Sequence, residues 1–169
     1  MSILKTTDFS SGLTKISQDQ YVESELLTFL SDVKLHGKIR KILGVTLGQE
    51  FIDDLTGNPA VPSSAKFTAI WTEFNFSYSD LQVYSMGLKD ILVHLVYCDF
   101  VSQQSEINQQ GGNRVVQQEA STPGGFSVKF ARVYNEAVRS IEALQLYVND
   151  NDDTYEDFEG INYYYTDLL

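Results

Sequence analysis

The sequence predicts an all-α fold, a bundle of four to five helices, from three observations. Apolar residues recur at helical spacing through most of residues 17–148. Short stretches that contain glycine or proline separate most of these periodic segments. The chain has 169 residues, 43% of them hydrophobic, which is enough for one domain with a substantial core. We therefore predict a helical domain over residues 1–148, followed by an acidic C-terminal tail over residues 149–169.

The first helices are placed by their start and stop signals. A capping pattern at Ser17 and the glycine Gly44 predict one long helix between them, bent at Gly37. A shorter helix follows, with Thr46 as its cap and Gly57 at its end. The turn-rich segment "NPAVPSS" then predicts a break in the helical part of the chain.

The middle and the end of the domain supply the predicted core. The segment "SAKFTAIWTEFNF" predicts a helix, "SYSDLQVYSM" irregular chain or a frayed helix, and "GLKDILVHLVYCDFVSQQ" a central helix that is apolar on most sides. A last helix extends from about Phe126 to Val148. The residues expected to be largely buried are Trp71, Leu92, Leu95, Phe130 and Ile141.

One connection is too long and too polar to be a plain helix-to-helix turn. Residues 108–122, "NQQGGNRVVQQEAST", lie between the last two predicted helices, where about 2–8 residues usually suffice. The two valines give the stretch some strand character, and the glycine pair could open a β-hairpin or an extended arm. A polar arm can pair its backbone groups with another chain. We therefore predict contact with a neighbouring subunit through Gly111, Gly112, Arg114, Val115, Val116, Gln117 and Gln118.

Charge limits the partners of the chain. The net charge is −11, and residues 149–169 hold seven acidic residues and no lysine or arginine, which leaves 16 acidic and 12 basic residues before them. This balance argues against non-specific binding of nucleic acid, which needs a basic face. No apolar run is long enough for a membrane span and no signal peptide precedes the domain, so we expect synthesis in the cytoplasm and no membrane. The tail is expected either to be solvated or to dock in a groove of a partner through Ile161, Tyr163, Tyr164 and Tyr165.

Candidate chemistry is sparse. Asp90, His94 and Cys98 follow each other at i, i+4 and i+8, and all three are metal-ligand types, but we favour filler positions in an apolar helix. The basic run "KLHGKIRK" is interpreted as a solvated helix face rather than a phosphate contact. The acidic tail matches no register of a calcium-binding loop. We therefore expect no enzymatic activity, no cofactor and no metal.

Three segments and one residue carry a resemblance to a known family. They are "KIRKILGVTLGQEFIDDL", "AIWTEFNFSYSDLQVYSMGLKDILVHLVYCDFV", "GGNRVVQQEASTP" and, in the last helix, Asn135. Together they resemble the head–tail connector (adaptor) proteins of tailed bacteriophages, in the form found among phages and prophages of Bacteroidetes. The resemblance covers about residues 15–150 and leaves out the acidic tail.

The resemblance implies a structural protein of the virion neck. Such a protein forms a ring, usually of twelve copies, below the portal and joins the DNA-filled capsid to the tail. Its partners would be its own copies, the portal protein and a downstream neck or tail-completion protein, while DNA passes through without sequence-specific binding. The alternatives are a cytosolic helical adaptor or regulatory binding protein outside any virion, and a small metal-dependent enzyme that uses Asp90, His94 and Cys98.

Overall fold

Helices and two small antiparallel sheets make up the fold. The structure, a computed structural model, describes residues 2–16, 20–110 and 123–160, with side chains at 2–16, 22–103 and 128–160. The elements, after a short 3-10 turn at Thr6–Phe9, are α1 (Gln20–Phe29), α2 (Asp32–Leu43), α3 (Val45–Asp54), β1 (Leu55–Thr56), β2 (Val61–Pro62), α4 (Ala65–Trp71), β3 (Phe74–Tyr78), β4 (Leu81–Ser85), α5 (Gly87–Gln110) and α6 (Pro123–Asp150). Strand β1 pairs with β2, and β3 pairs with β4.

The prediction of an all-α bundle is wrong, because the two hairpins make the fold mixed α/β. The larger hairpin replaces the end of a predicted helix and the stretch expected to be irregular. Its register pairs Phe74 with Ser85 and Tyr78 with Leu81. Phe74, Phe76 and Tyr78 alternate with polar residues, which is the period of a strand. The period-two pattern outweighs the helical spacing that the same residues also fit.

The turn of the larger hairpin explains why the sequence did not reveal it. Ser79 and Asp80 form a two-residue connection in which both have positive φ, at 46° and 67°. Such turns usually contain glycine or asparagine, because other residues tolerate this backbone region poorly. The usual sequence signal of a tight hairpin is therefore missing here.

Replacing Asp80 with glycine should relieve the turn. Asp80→Gly is expected to raise the free energy of unfolding by about 0.5–1 kcal/mol, because the cost of a left-handed non-glycine residue exceeds the added flexibility of the unfolded chain. Ser77→Gly, in the extended part of β3, is the control and should lower stability by a similar amount. Urea denaturation measures both changes. If Asp80→Gly lost as much stability as Ser77→Gly, the left-handed backbone conformation of Asp80 in the turn would be contradicted.

The first predicted helix is two helices, and the predicted bend at Gly37 is wrong. The chain breaks at Leu30 and Ser31, whereas Gly37 lies inside α2. Ser31 has an extended backbone, and its carbonyl accepts hydrogen bonds from the backbone N–H groups of Lys34 and Leu35. Ser31 is thus the residue before a new helix, a common place for serine. The predicted stop at Gly44 is confirmed, with φ at +84°.

Helix α5 lies in the centre of the core, as predicted. Leu92, Leu95, Trp71 and Ile141 are buried, whereas Phe130 is only partly buried. The exception stands near the start of α6, where the helix pair leaves the core. Most of the predicted core is therefore confirmed.

Helices α5 and α6 form a long antiparallel pair. The Met86 N–H donates to Ser140 Oγ at 2.7 Å, near the start of α5 and the second half of α6. Further along α5, Lys129 Nζ lies over the Tyr97 ring, 5.1 Å from its centroid. The contact further along α5 involves a residue that is earlier along α6, so the two helices are antiparallel. The end of α5 at residue 110 and the start of α6 at residue 123 therefore lie at the same end of the pair.

The chain after α6 returns to the body of the protein. Tyr155 is buried, and its hydroxyl donates to the carbonyl of Lys66 at 2.7 Å. Its ring meets the Tyr147 ring with centroids 6.2 Å apart, and burial raises the pKa of the phenol. The core therefore includes a residue beyond Val148. None of the described helices is both long and apolar enough to cross a membrane.

Asp54 joins α3 to the start of α4 and gives the fold a pH dependence. Its carboxylate accepts hydrogen bonds from the backbone and the hydroxyl groups of Ser63 and Ser64, at 2.8–3.1 Å. Burial favours the neutral acid, but the four hydrogen bonds outweigh it and lower the pKa below the ordinary 3.8. A lowered folded-state pKa stabilises the fold above the unfolded-state pKa.

We expect the contribution of Asp54 to disappear in acid. At neutral pH, Asp54→Asn should lower the free energy of unfolding by about 1 kcal/mol. The difference from the unmodified protein should shrink as the pH falls below 3.8 and through the folded-state pKa. Denaturation curves at several pH values measure it, and Asp153→Asn, at an exposed turn, is the control. A difference that stays constant with pH would contradict this assignment.

Candidate functional site

The predicted contact residues lie outside the described residues. This applies to the arm residues Gly111, Gly112, Arg114, Val115, Val116, Gln117 and Gln118, and to Tyr163, Tyr164 and Tyr165 of the tail. The structure does describe the two helices that hold the ends of the arm. Those helices determine where the arm begins and ends.

The helix pair extends past the core before the arm begins. On α5, Phe100 is buried and Gln103 is exposed, and on α6 Val133 is buried while Val128 is 69% exposed. From these buried positions the helical backbone continues for ten residues on each helix, to residues 110 and 123, or about 15 Å at the helical rise. The arm is therefore joined to helix ends about 15 Å along the axis from these buried residues.

A groove of about 410 Å³ lies at the opposite end of the pair, between β4, the start of α5 and the middle of α6. It is lined by Tyr84, Met86, Asp90, His94, Glu136, Arg139 and Ser140. The lining combines an aromatic ring and a thioether with acidic and basic groups. Such a mixture suits a ligand group that is both charged and partly apolar.

Buried serines hold the floor of the groove in place. Ser85 Oγ donates to the Ser140 carbonyl at 3.1 Å, and Ser140 Oγ accepts the Met86 N–H. The Gly87 N–H donates to Ser85 Oγ at 3.3 Å, which satisfies one free N–H group at the start of α5. These bonds fix β4 and both helices relative to each other, so the groove is formed before any ligand arrives.

Two carboxylates give one side of the groove an acidic character: Asp90 is part of the lining, and Glu73 lies outside it but acts electrostatically on Asp90. Glu73 accepts a hydrogen bond from the Tyr84 hydroxyl at 3.3 Å. Among the described residues, neither Glu73 nor Asp90 forms an ion pair, and the neighbouring Lys89 bonds to Asp8 at 3.0 Å. Burial raises the pKa of Asp90, and the nearby acids Asp8 and Glu73 raise it further, against the opposite effect of Lys89 and His94. A cation placed here would lower the pKa of Asp90 and gain a favourable interaction.

His94, Glu136, Arg139 and Ser140 form the rest of the polar lining. His94 Nδ1 donates to the Asp90 carbonyl at 2.8 Å, and Nε2 is 3.8 Å from Glu136 Oε2. Glu136 also bonds to Arg132, at 3.0 Å, which partly neutralises its charge. Glu136 thus has a basic partner, whereas Asp90 and Glu73 form no ion pair among the described residues.

The structure separates the three candidate metal ligands. Asp90 and His94 line the groove, whereas Cys98 is buried in the core. Eight residues along a helix correspond to about 80° of rotation, which is enough to turn the thiol away from the groove. Burial, and to a lesser extent Asp99, raises the pKa of Cys98 to about 12, so the thiol stays protonated. No three His, Cys, Asp or Glu side chains among the described residues are arranged to hold a metal ion.

The basic run on α2 is only partly a solvated face. Lys38 is 8% exposed and pairs with Asp99 of α5 at 2.9 Å. Arg40 donates to Gln49 of α3 at 2.6 Å. Two of the four cations thus stabilise the packing of the subunit itself.

Sequence reasoning singled out only two residues of the groove, Asp90 and His94. The remaining lining residues come from β4, from Met86 between β4 and α5, and from α6, and no local spacing marks them as part of one site with α5. Comparisons with family models, curated proteins and solved structures find no match to this chain.

Proposed function

We propose that the protein is a non-enzymatic head–tail connector of a tailed bacteriophage, which forms a ring below the portal. The observation that supports this proposal is the antiparallel helix pair, which continues ten residues beyond Phe100 and Val133 before residues 111–122 begin and after they end. The sequence resemblance points to the family, and both ends of the predicted arm join the same end of this helix pair, which supports an arm that reaches another subunit. The ring would stand at the neck of the virion, between the portal protein and a downstream tail-completion protein.

An arm of this composition gains little by packing on its own subunit. Residues 108–122 contain two valines and mostly polar or small residues, so they bury little apolar area against the entropy lost on ordering. Backbone pairing with another chain compensates for part of that entropy loss. A ring requires one surface of each subunit to bind a different surface of the next. An arm that binds a different surface on the next copy would meet that requirement.

The charge of the chain is compatible with a DNA channel. At a net charge of −11, the subunit repels phosphate overall. Weak binding is an advantage where DNA has to move through a ring, because every phosphate held by a lysine or arginine would resist movement. The subunits of the ring are expected to be joined by protein–protein contacts and not by DNA.

The test replaces the arm and asks whether virions assemble. Residues 111–122 are exchanged for a glycine–serine segment of equal length in a phage that carries this gene, and particles are viewed by electron microscopy. We expect the exchanged protein to fold and the particles to be DNA-filled heads without tails. Infectious tailed particles at normal yield would contradict the proposal.

A second measurement separates the connector from the cytosolic adaptor. Gold-labelled antibodies against the protein should bind at the neck of purified virions if the protein is a connector. An adaptor outside the virion would be missing from washed particles.

The matched control for the arm exchange replaces Asp152 and Asp153, in the turn after α6, with asparagine. This control should leave the particle yield unchanged.

A further inference from the structure

We propose that the groove between β4, α5 and α6 receives the arm of a neighbouring copy, with Arg114 of that copy placed against Asp90, Glu73 and Tyr84. This inference rests on the proposed function only in requiring that copies assemble side by side. It names the surface that the arm binds and the residue that anchors it.

The acidic side of the groove fits a guanidinium group. The carboxylates of Glu73 and Asp90 have no ion-pair partner among the described residues. Tyr84, which lines the groove with Asp90 and donates its hydroxyl to Glu73, is 53% exposed. A guanidinium group binds carboxylates through paired hydrogen bonds and also stacks on aromatic rings. Met86, in the same lining, offers an apolar contact to an adjacent aliphatic side chain.

The arm supplies one residue of matching charge. Between Lys89 and Lys129 the sequence contains a single lysine or arginine, Arg114, and two valines follow it directly. A cation followed by Val115 and Val116 complements a groove that offers carboxylates beside Met86. This charge complementarity identifies the arm, rather than the acidic tail, as the occupant.

Within one chain the arm cannot bind this groove. Asp90 precedes the end of α5 by 20 residues, which places it about 30 Å away along the helix axis. Arg114 follows the end of α5 by four residues, which span at most about 14 Å when fully extended. The arginine side chain is too short to cover the remaining distance. The arm of another copy is free of this restriction, so the contact has to form between subunits.

Photo-cross-linking between differently labelled copies tests the contact. A full-length chain with Val115→p-benzoylphenylalanine is mixed with a heavy-isotope-labelled chain that lacks the photoreactive group, and the cross-linked peptides are identified by mass spectrometry. We expect the light arm to be joined to the heavy peptide that contains Met86. Light-to-light cross-links without any light-to-heavy ones, or light-to-heavy cross-links only to peptides outside the groove, would overturn the inference.

Charge reversal shows whether Arg114 is the anchor. R114E in the light chain should lower the yield of this cross-link by about tenfold or more, the loss expected for one charge-assisted hydrogen bond. D90K in the heavy chain should restore the yield with R114E and lower it with the unmodified arm. The control D153N, outside the groove, should leave the yield unchanged. An unchanged yield in R114E, or no heavy-chain cross-link at the highest soluble concentration, would also overturn the inference.

The two proposals can fail separately. Virions that assemble normally without the arm, together with a cross-link in the groove, would remove the connector function and leave the contact. Virions that need the arm, together with cross-links elsewhere, would leave the connector function and remove the contact. Circular dichroism of each variant establishes that it is folded before either experiment.

Discussion

Replacing Gly87 with alanine is expected to lower the free energy of unfolding by about 3–5 kcal/mol. Gly87 begins α5 with φ at +81°, a backbone region that disfavours residues with a side chain. A β-carbon at this position would lie 2.3 Å from both the carbonyl carbon and the carbonyl oxygen of Thr72. Because Thr72 contributes backbone atoms, no side-chain rotation can relieve the clash. Either β3 and β4 or the start of α5 would have to move.

Gly12→Ala is the matched control for this change. Gly12 also has a positive φ, +72°, but among the described residues no atom lies within 4 Å of the place that a β-carbon would take. It should therefore show the backbone cost alone, about 1–2 kcal/mol. Urea denaturation of the two variants separates backbone strain from the clash. Equal losses of stability would mean that Thr72 does not approach Gly87 closely.

Tyr155→Ala is expected to lower the free energy of unfolding by about 3–5 kcal/mol, because it removes a fully buried aromatic side chain. Tyr155→Phe keeps the ring but leaves the Lys66 carbonyl without the hydroxyl that bonds to it. That variant should lose about 1–3 kcal/mol. Together the two variants divide the contribution of Tyr155 between ring packing and the hydrogen bond.

The control for Tyr155 is an exposed tyrosine. Tyr78, near the turn of the larger hairpin, is 38% exposed, and Tyr78→Ala should cost less than half as much as Tyr155→Ala. If Tyr155→Ala left the midpoint of denaturation unchanged, the chain after α6 would not be part of the core. A deletion of the tail should accordingly begin after Gly160, because a deletion after Val148 would also remove Tyr155.

The long helices could be predicted from the sequence because their apolar spacing persists over many turns. Leu92 and Leu95 on α5 and Ile141 on α6 are buried where this spacing placed them. Gly44 was predictable as a helix end for a different reason, since few residues other than glycine adopt its backbone conformation readily. Repetition and backbone restriction are both local properties, and local properties can be read from one sequence.

The hairpin and the groove could not be predicted in the same way. Strands of five residues offer only two or three repeats, and Phe74 also fitted the helical spacing that begins at Phe67. The groove depends on Tyr84, Asp90 and Glu136, which meet only after three elements have packed. Nothing in the spacing of these residues along the chain distinguishes them from ordinary surface positions.

Cys98 has a practical consequence for measurements on this protein. It is the only cysteine of the chain, it is buried, and its high pKa leaves very little nucleophilic thiolate at neutral pH. Maleimide reagents should therefore modify the native fold slowly. A cysteine introduced at an exposed position such as Val128 would be labelled selectively, without first removing Cys98. Pairs of fluorophores could then report distances between copies as they assemble, on a subunit with an otherwise natural sequence.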